Sequence, residues 1–189
     1  MSASPIVSVI ATFYNCSDVA PTCVDSLLAQ TFDSYEIVLV DDGSRDGTPR
    51  ILDSYANRPG VLVVHKPNGG AADARNVGMR AASGAYLTFV DGDDLVGPRH
   101  LEYLYQTLVH SGAGMATIGH LVLSEADAAH PSWSDADTWS LFVGRDAVSE
   151  LLYERIYEAP WAKLAPRSLI TYVVRLFRTI WQDGYRCFL

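Results

Sequence analysis

The sequence predicts an α/β domain with a mostly parallel central sheet flanked by helices. Three observations predict it. Short apolar runs alternate with helix-patterned segments through residues 1–123. Several of those runs are almost wholly apolar, as strands covered on both faces require. Polar clusters follow the runs directly, at the strand ends where open α/β sheets bind ligands.

The elements follow in order. Val7-Ser8-Val9-Ile10-Ala11 reads as the first strand, with a turn at Tyr14-Asn15-Cys16-Ser17. A helix is expected from about Asp18 to Gln30, capped by Ser17 or Asp18 and with Pro21 in its first turn. Its apolar stripe is Cys23, Val24, Leu27 and Leu28 at helical spacing. Tyr35 to Val40 is the second strand and runs into Asp41-Asp42-Gly43-Ser44. A helix from about Gly47 to Ala56 carries Pro49 near its start, and Val61 to His65 forms a third strand. Asn68-Gly69-Gly70 opens a helix to about Ala82, Ala85 to Val90 is a fourth strand, and Pro98 starts a helix through about His110. Met115 to Leu123 is expected as a further strand. Beyond it, the acidic stretch 124–140 reads as a loop and 144–153 as a helix.

Composition bounds the function. The 189 residues suffice for one α/β domain with a sizeable core. A formal charge of −8 argues against a nucleic-acid-binding face. Three cysteines without a Cys-x-x-Cys fit a reduced, cytoplasmic compartment. The N-terminus lacks the basic and apolar regions of a signal peptide, and no apolar run approaches the ~18–20 residues of a membrane span. Peripheral contact with the inner face of a membrane stays open.

Asp91, Asp93 and Asp94 close the fourth strand abruptly with three carboxylates. Crowded like charges repel unless something offsets them. A hard divalent cation such as Mg²⁺ or Mn²⁺ does so, preferring oxygen ligands and keeping positions open for phosphate. An Asp-x-Asp at a strand end therefore points to a metal–diphosphate site. The five histidines have no metal-ligand spacing and read as core or surface residues.

With these clusters in order, the chain resembles the family-2 inverting glycosyltransferases of the nucleotide-sugar-binding GT-A fold. The matching pieces are Val7 through Asn15, Val40 through Thr48, Asn68-Gly69-Gly70 with Ala74-Arg75-Asn76-Val77-Gly78, and Gly84 through Asp94. A weaker echo continues through Pro160-Trp161-Ala162-Lys163-Leu164 and Arg167 to Ile170. The resemblance implies that Thr12, Phe13 and Tyr14 line a base pocket, with Tyr14 packing on uracil. It implies that Asp41 accepts the uracil N3–H, that Arg75 faces the base or the diphosphate, and that backbone amides at Gly69 and Gly70 approach a phosphate. Asp93 becomes the direct ligand of Mn²⁺ or Mg²⁺, with Asp91 on the ribose or in the metal shell. Asp94 is left between metal binding and capping of the next turn, and Ser44 and Asp46 fit turn or cap roles. Gly92 stands where the family often has Ser.

The same resemblance implies transfer of a sugar from a UDP-sugar to a saccharide or lipid-linked saccharide hydroxyl, in bacterial polysaccharide or glycoconjugate synthesis. Residues 1–123 would form the donor-binding part and 124–189 part of the acceptor side. The reaction needs a carboxylate general base. Family members carry a Glu-Asp pair downstream; Trp181-Gln182-Asp183-Gly184-Tyr185 is the nearest match here, and Asp183 is the expected base, although Gln replaces the usual Glu.

Two other classes stay in view. A nucleotide-sugar-binding module would keep the donor half without competent catalysis. A nucleotidyltransferase would place a Gly-rich, basic loop after the first strand, where this chain has Thr12-Phe13-Tyr14-Asn15. A dinucleotide-dependent oxidoreductase is disfavoured because no G-x-G-x-x-G follows a strand.

Overall fold

In the computed structural model, Val7–Phe13 forms β1, and all seven of its residues are buried. It lies inside the parallel part of the sheet. On one side lies β2 (Tyr35–Asp41) and on the other β4 (Tyr86–Asp91), both parallel to it. Beyond β2, β3 (Val61–His65) pairs in parallel, so four strands share one direction. β5 (Ala116–Thr117) and β6 (Lys163–Pro166) complete the order β3-β2-β1-β4-β6-β5, with β6 antiparallel to both β4 and β5. The structure describes residues 4–118 and 162–170. The expected loop at 124–140, the helix at 144–153 and Asp183 lie outside the described residues.

Helices cover both faces, which is why the strands read as continuous apolar runs. On one face α1 (Ala20–Leu28) packs Ala20, Cys23, Val24 and Leu27 against Val7, Val9, Ala11 and Phe13. That face also receives Leu52 of α2 (Thr48–Asp53) and Leu101, Leu104 and Leu108 of α4 (His100–Ser111). On the other face α3 (Ala71–Ala81) sets Ala74 against Ile10, Val38, Val40 and Phe89. α3 sits close because Gly78 has no side chain: a Cβ there would lie 2.3 Å from Ile10 Cγ2. Pro stands at the first turn of both α1 and α2, where its missing N–H is no loss. Among the described residues no helix is long and apolar enough to cross a membrane.

The observed elements depart from the expected ones mainly at their ends. β1 runs two residues further, to Phe13, because its neighbours on both sides extend with it: Thr12 pairs with Val40 and Asp91. β6 was not expected as a strand. It carries a Lys and ends in Pro, which suits a strand near the sheet edge, and it adds Leu164 and Ala165 to the core. At the opposite, amino edge of the sheet, Glu36 accepts hydrogen bonds from the Ser8 hydroxyl (2.6 Å) and from the Ser83 and Gly84 amides. Burial works to raise that carboxyl, but the hydrogen bonds win and hold it below its ordinary value.

Candidate functional site

Parallel strands end together, so the register decides what meets what. Thr12 lies beside Asp91, and Phe13 beside Asp41, which in turn lies beside His65. This carboxyl edge divides into a cleft over β1 and β4 and a closed polar cluster over β2 and β3.

The cleft has a volume of about 430 Å³ and is lined by Thr12, Phe13, Tyr14, Asn15, Cys16, Ala71, Arg75, Asp91, Gly92 and Asp93. Six expected site residues, Thr12, Phe13, Tyr14, Arg75, Asp91 and Asp93, thus share one cavity. Tyr14 stands at the rim with 49% of its surface exposed. Arg75, from the second turn of α3, reaches Asp91 and donates from Nη2 to Oδ1 at 2.5 Å. Its Nε is buried and has no acceptor among the described residues. Asp93 is exposed. The turn that presents it is tight: the Gly92 N–H donates to Thr12 O at 2.9 Å and the Asp94 N–H to Asp91 O at 2.9 Å. Gly92 is needed there, because a Cβ would lie 2.4 Å from Phe13 Cδ1 and 2.8 Å from Thr12 O. The glycine at the family's Ser position thus follows from how Phe13 packs in this chain.

The closed cluster holds three more of the expected residues, Asp41, Gly69 and Gly70. Asp41 is 3% exposed; its Oδ1 accepts the Ser44 N–H at 3.1 Å and its Oδ2 lies 3.1 Å from His65 Nδ1. His65 Nε2 lies 2.9 Å from Asp53 Oδ1. Hydrogen bonds to Asp53 and Asp41 hold the His65 imidazole above its ordinary pKa. Gly69 and Gly70 donate their amides to the Asp42 carboxylate at 2.9 and 2.8 Å. Lys66 Nζ also donates to Asp42 and lies 2.9 Å from Asp73 Oδ2. Burial works to raise Asp42, but Lys66 and the two amides hold it below the usual carboxylate range. Asp41, Gly69 and Gly70 do not line the cleft.

Asp42 is the organising residue that sequence reasoning missed. The adjacent aspartates look alike in the sequence, and only the fold turns one towards Lys66 and the two glycine amides. A basic residue shortly before a Gly-Gly pair was the available signal.

The loop between these two regions is a buttress. Asn15, in the left-handed region at φ 49°, donates its N–H to Ser44 Oγ at 2.9 Å and accepts the Arg45 N–H at 2.7 Å. The Cys16 N–H reaches Thr48 Oγ1 at 3.0 Å and the Ser17 N–H reaches Asp46 Oδ2 at 3.0 Å. Asp46 also accepts the Thr48 N–H at 2.9 Å in the first turn of α2. Thr48 first, and then Ser17, hold its carboxyl down to about 2. Residues 44–48 therefore brace the Tyr14–Cys16 rim from behind. Cys16 also lines the cleft, and burial raises its thiol pKa, which disfavours the thiolate.

Among the described residues no three His, Cys, Asp or Glu side chains are grouped to hold a metal ion by themselves. The cleft does offer hard oxygen donors: the exposed Asp93 and the Asp91 oxygen not facing Arg75. Two carboxylates fit a cation that takes its other ligands from water and a bound phosphate.

A six-stranded, mostly parallel sheet covered by helices, with a polar cleft at its carboxyl edge, is the architecture of a nucleotide-diphospho-sugar transferase. The model of glycosyl transferase family 2 matches residues 8–167, and the chain belongs to that family. It is 47% identical over 93 residues to the uncharacterised glycosyltransferase EpsJ of Bacillus subtilis, covering 49% of this chain and 27% of EpsJ. The fold is similar to S. aureus TarS, solved in complex with UDP-GlcNAc, at a TM-score of 0.63 and 23% identity over 87% of this chain and 46% of that one. It is also similar to the mannosyltransferase PcManGT of Pyrobaculum calidifontis, solved in complex with GDP-Man and Mn²⁺. That likeness has a TM-score of 0.56 and 25% identity over 63% of this chain and 37% of that one. The chain spans well under half the length of the curated relatives it matches.

Proposed function

We propose that this chain forms the donor side of an inverting glycosyltransferase that moves a sugar from a UDP-sugar to the hydroxyl of a saccharide or lipid-linked acceptor, assisted by Mg²⁺ or Mn²⁺. One observation carries the reading: an aromatic rim, a guanidinium and two strand-end carboxylates converge on one cleft of about 430 Å³ at the carboxyl edge of a parallel sheet. Each suits one part of a sugar nucleotide. The exposed ring of Tyr14 offers a stacking face for the uracil, with Thr12 and Phe13 beneath it. Arg75 offers planar donors to the diphosphate. Asp93 and Asp91 would hold the cation, which when bound supplies Lewis-acid stabilisation of the negative charge on the departing diphosphate. The mannosyltransferase of similar fold solved with GDP-Man and Mn²⁺ supports a nucleotide-sugar and a cation as ligands.

Asp41 and the glycine amides differ in what they can still offer. An ionised carboxylate has about four lone-pair sites, so Asp41 keeps acceptor capacity for a uracil N3–H beside Ser44 and His65. Each glycine amide has one proton and directs it at Asp42, so a phosphate reaches them only by displacing that carboxylate. Asp183 is the proposed general base, taking the acceptor proton on the sugar face opposite the leaving group, which makes the transfer inverting.

Two experiments test the reading. Calorimetric titrations of UDP and GDP should show UDP binding tighter; a preference for GDP would move the donor class away from uridine. Asp183→Asn should abolish transfer to acceptor while sparing UDP binding, and transfer that survives in this variant would remove Asp183 as the base.

A further inference from the structure

The Arg75–Asp91 contact is an ion pair between two half-sheltered groups, with side chains 20% and 30% exposed. It sets a positive charge directly against the Asp91 carboxylate. It also uses Arg75 incompletely. A guanidinium presents five N–H donors in a rigid fork, and in this pose Nε is buried with no acceptor among the described residues. A buried donor left unpaired raises the free energy of the state that contains it. The present pose is therefore one that a better acceptor can replace. Diphosphate oxygens are such acceptors, since they can take two parallel N–H bonds from one guanidinium. Asp93, two residues beyond Asp91 on the same cleft, is exposed.

We propose that Arg75 is the resident counter-ion of Asp91 and is exchanged for a divalent cation when a nucleoside diphosphate enters. Paired with Asp91 Oδ1, the guanidinium opposes the approach of a second positive charge. When a diphosphate arrives, the guanidinium turns to it, and the released Asp91 joins Asp93 as a cation ligand. Metal and nucleotide then bind interdependently, and linkage makes the coupling reciprocal. This inference rests on the donor-site reading above and deepens it by assigning the coupling to one side chain.

The test uses the full chain and two readouts that need no turnover. Free Mn²⁺ is followed by its paramagnetic resonance signal without nucleotide, and UDP binding is followed by calorimetry in EDTA. Arg75→Gln frees Asp91, so it should bind Mn²⁺ roughly 10-fold tighter than wild type without nucleotide, within the usual range of coupling between sites. The same variant should bind UDP in EDTA about 10-fold more weakly, having lost a charge-assisted donor. Arg75→Lys keeps the charge and should stay near wild type for Mn²⁺. Asp91→Asn works from the other partner: it releases Arg75, so UDP in EDTA should bind more tightly while Mn²⁺ binds more weakly. Thermal melts establish that each variant folds, and Asp91→Asn carries the test alone if Arg75→Gln does not. Unchanged or weaker Mn²⁺ binding in folded Arg75→Gln, or no gain of UDP binding in Asp91→Asn, overturns the exchange while leaving the donor site standing. No UDP binding by folded wild type, with or without Mn²⁺, removes both the donor site and the exchange.

Discussion

At the carboxyl end of β2, Asp41 and Asp42 are each 3% exposed, and their oxygens face Ser44, His65, Lys66 and the amides of Gly69 and Gly70. At the carboxyl end of β4, the Asp91 carboxylate meets, among the described residues, the Arg75 guanidinium, and Asp93 lies open to solvent. Both strands close on a cluster of aspartates, yet in the first Asp42 is satisfied from within, and the second is left to meet something from outside. The difference teaches how an acidic strand end is to be read. Carboxylates already surrounded by N–H donors hold loops in place, whereas carboxylates with few internal partners beside a cavity are the ones available to a ligand. The two regions also cooperate, because residues 44–48 brace the Tyr14–Cys16 rim of the cleft.

The comparison breaks most visibly at Asp42. Asp42→Ala leaves Lys66, with a side chain only 10% exposed, and two glycine amides without their carboxylate. Losing one partner of a buried pair should lower stability by about 3 kcal/mol, measured by urea unfolding. A loss below roughly 0.5 kcal/mol, the range of ordinary surface changes, would mean the cluster is not structural. Next comes Gly92→Ser, which puts a side chain where Phe13 and the Thr12 carbonyl already are. It should cost about 1–3 kcal/mol by overpacking and weaken UDP binding through the displaced Phe13. Equal stability and equal UDP affinity would contradict that geometry.

His65 supplies a pH test of the closed cluster. Its folded-state pKa is raised by Asp53 and Asp41. The resulting stability is fully present below the unfolded value of about 6.5 and is lost as pH rises through the higher folded value. His100 works the other way: burial pushes it down to about 4, so its contribution is present above about 6.5 and fades as pH falls towards 4. The difference between wild type and His65→Gln isolates the first effect. That difference, from urea unfolding at a series of pH values, should shrink as pH rises from about 6.5 upward. A difference that is flat across this range would show that the two aspartates do not favour the charged imidazole. The smallest stability effect belongs to Asp93→Ala, which removes an exposed side chain and should shift unfolding by no more than about 0.5 kcal/mol.

Much of the parallel core was legible in the sequence, because β1, β2 and β4 are apolar on both faces and Pro21 and Pro49 mark helix starts. β6 was not legible: Lys163–Pro166 is short, and its place beside β4 depends on an antiparallel pairing across more than seventy residues that no local pattern encodes. In the cleft, the residue types at Thr12–Tyr14, Asp91 and Asp93 stood out because their clusters follow strands, and Arg75 stood out only through the family resemblance. What stayed hidden was partnership. Spacing does not tell that Arg75 reaches Asp91, or that Asp42 rather than a ligand takes the amides of Gly69 and Gly70, since both depend on how α3 lies across the sheet.

The central claim is that the β1–β4 cleft binds a nucleoside diphosphate with a cation on Asp93. The measurement that tests it most directly is calorimetric titration of UDP into the wild-type chain and Asp93→Ala, each with Mn²⁺ and with EDTA. The account predicts that Mn²⁺ strengthens UDP binding to wild type and that this gain disappears in a normally folded Asp93→Ala. UDP binding that is indifferent to Mn²⁺, or a metal-dependent gain that survives in Asp93→Ala, would contradict it.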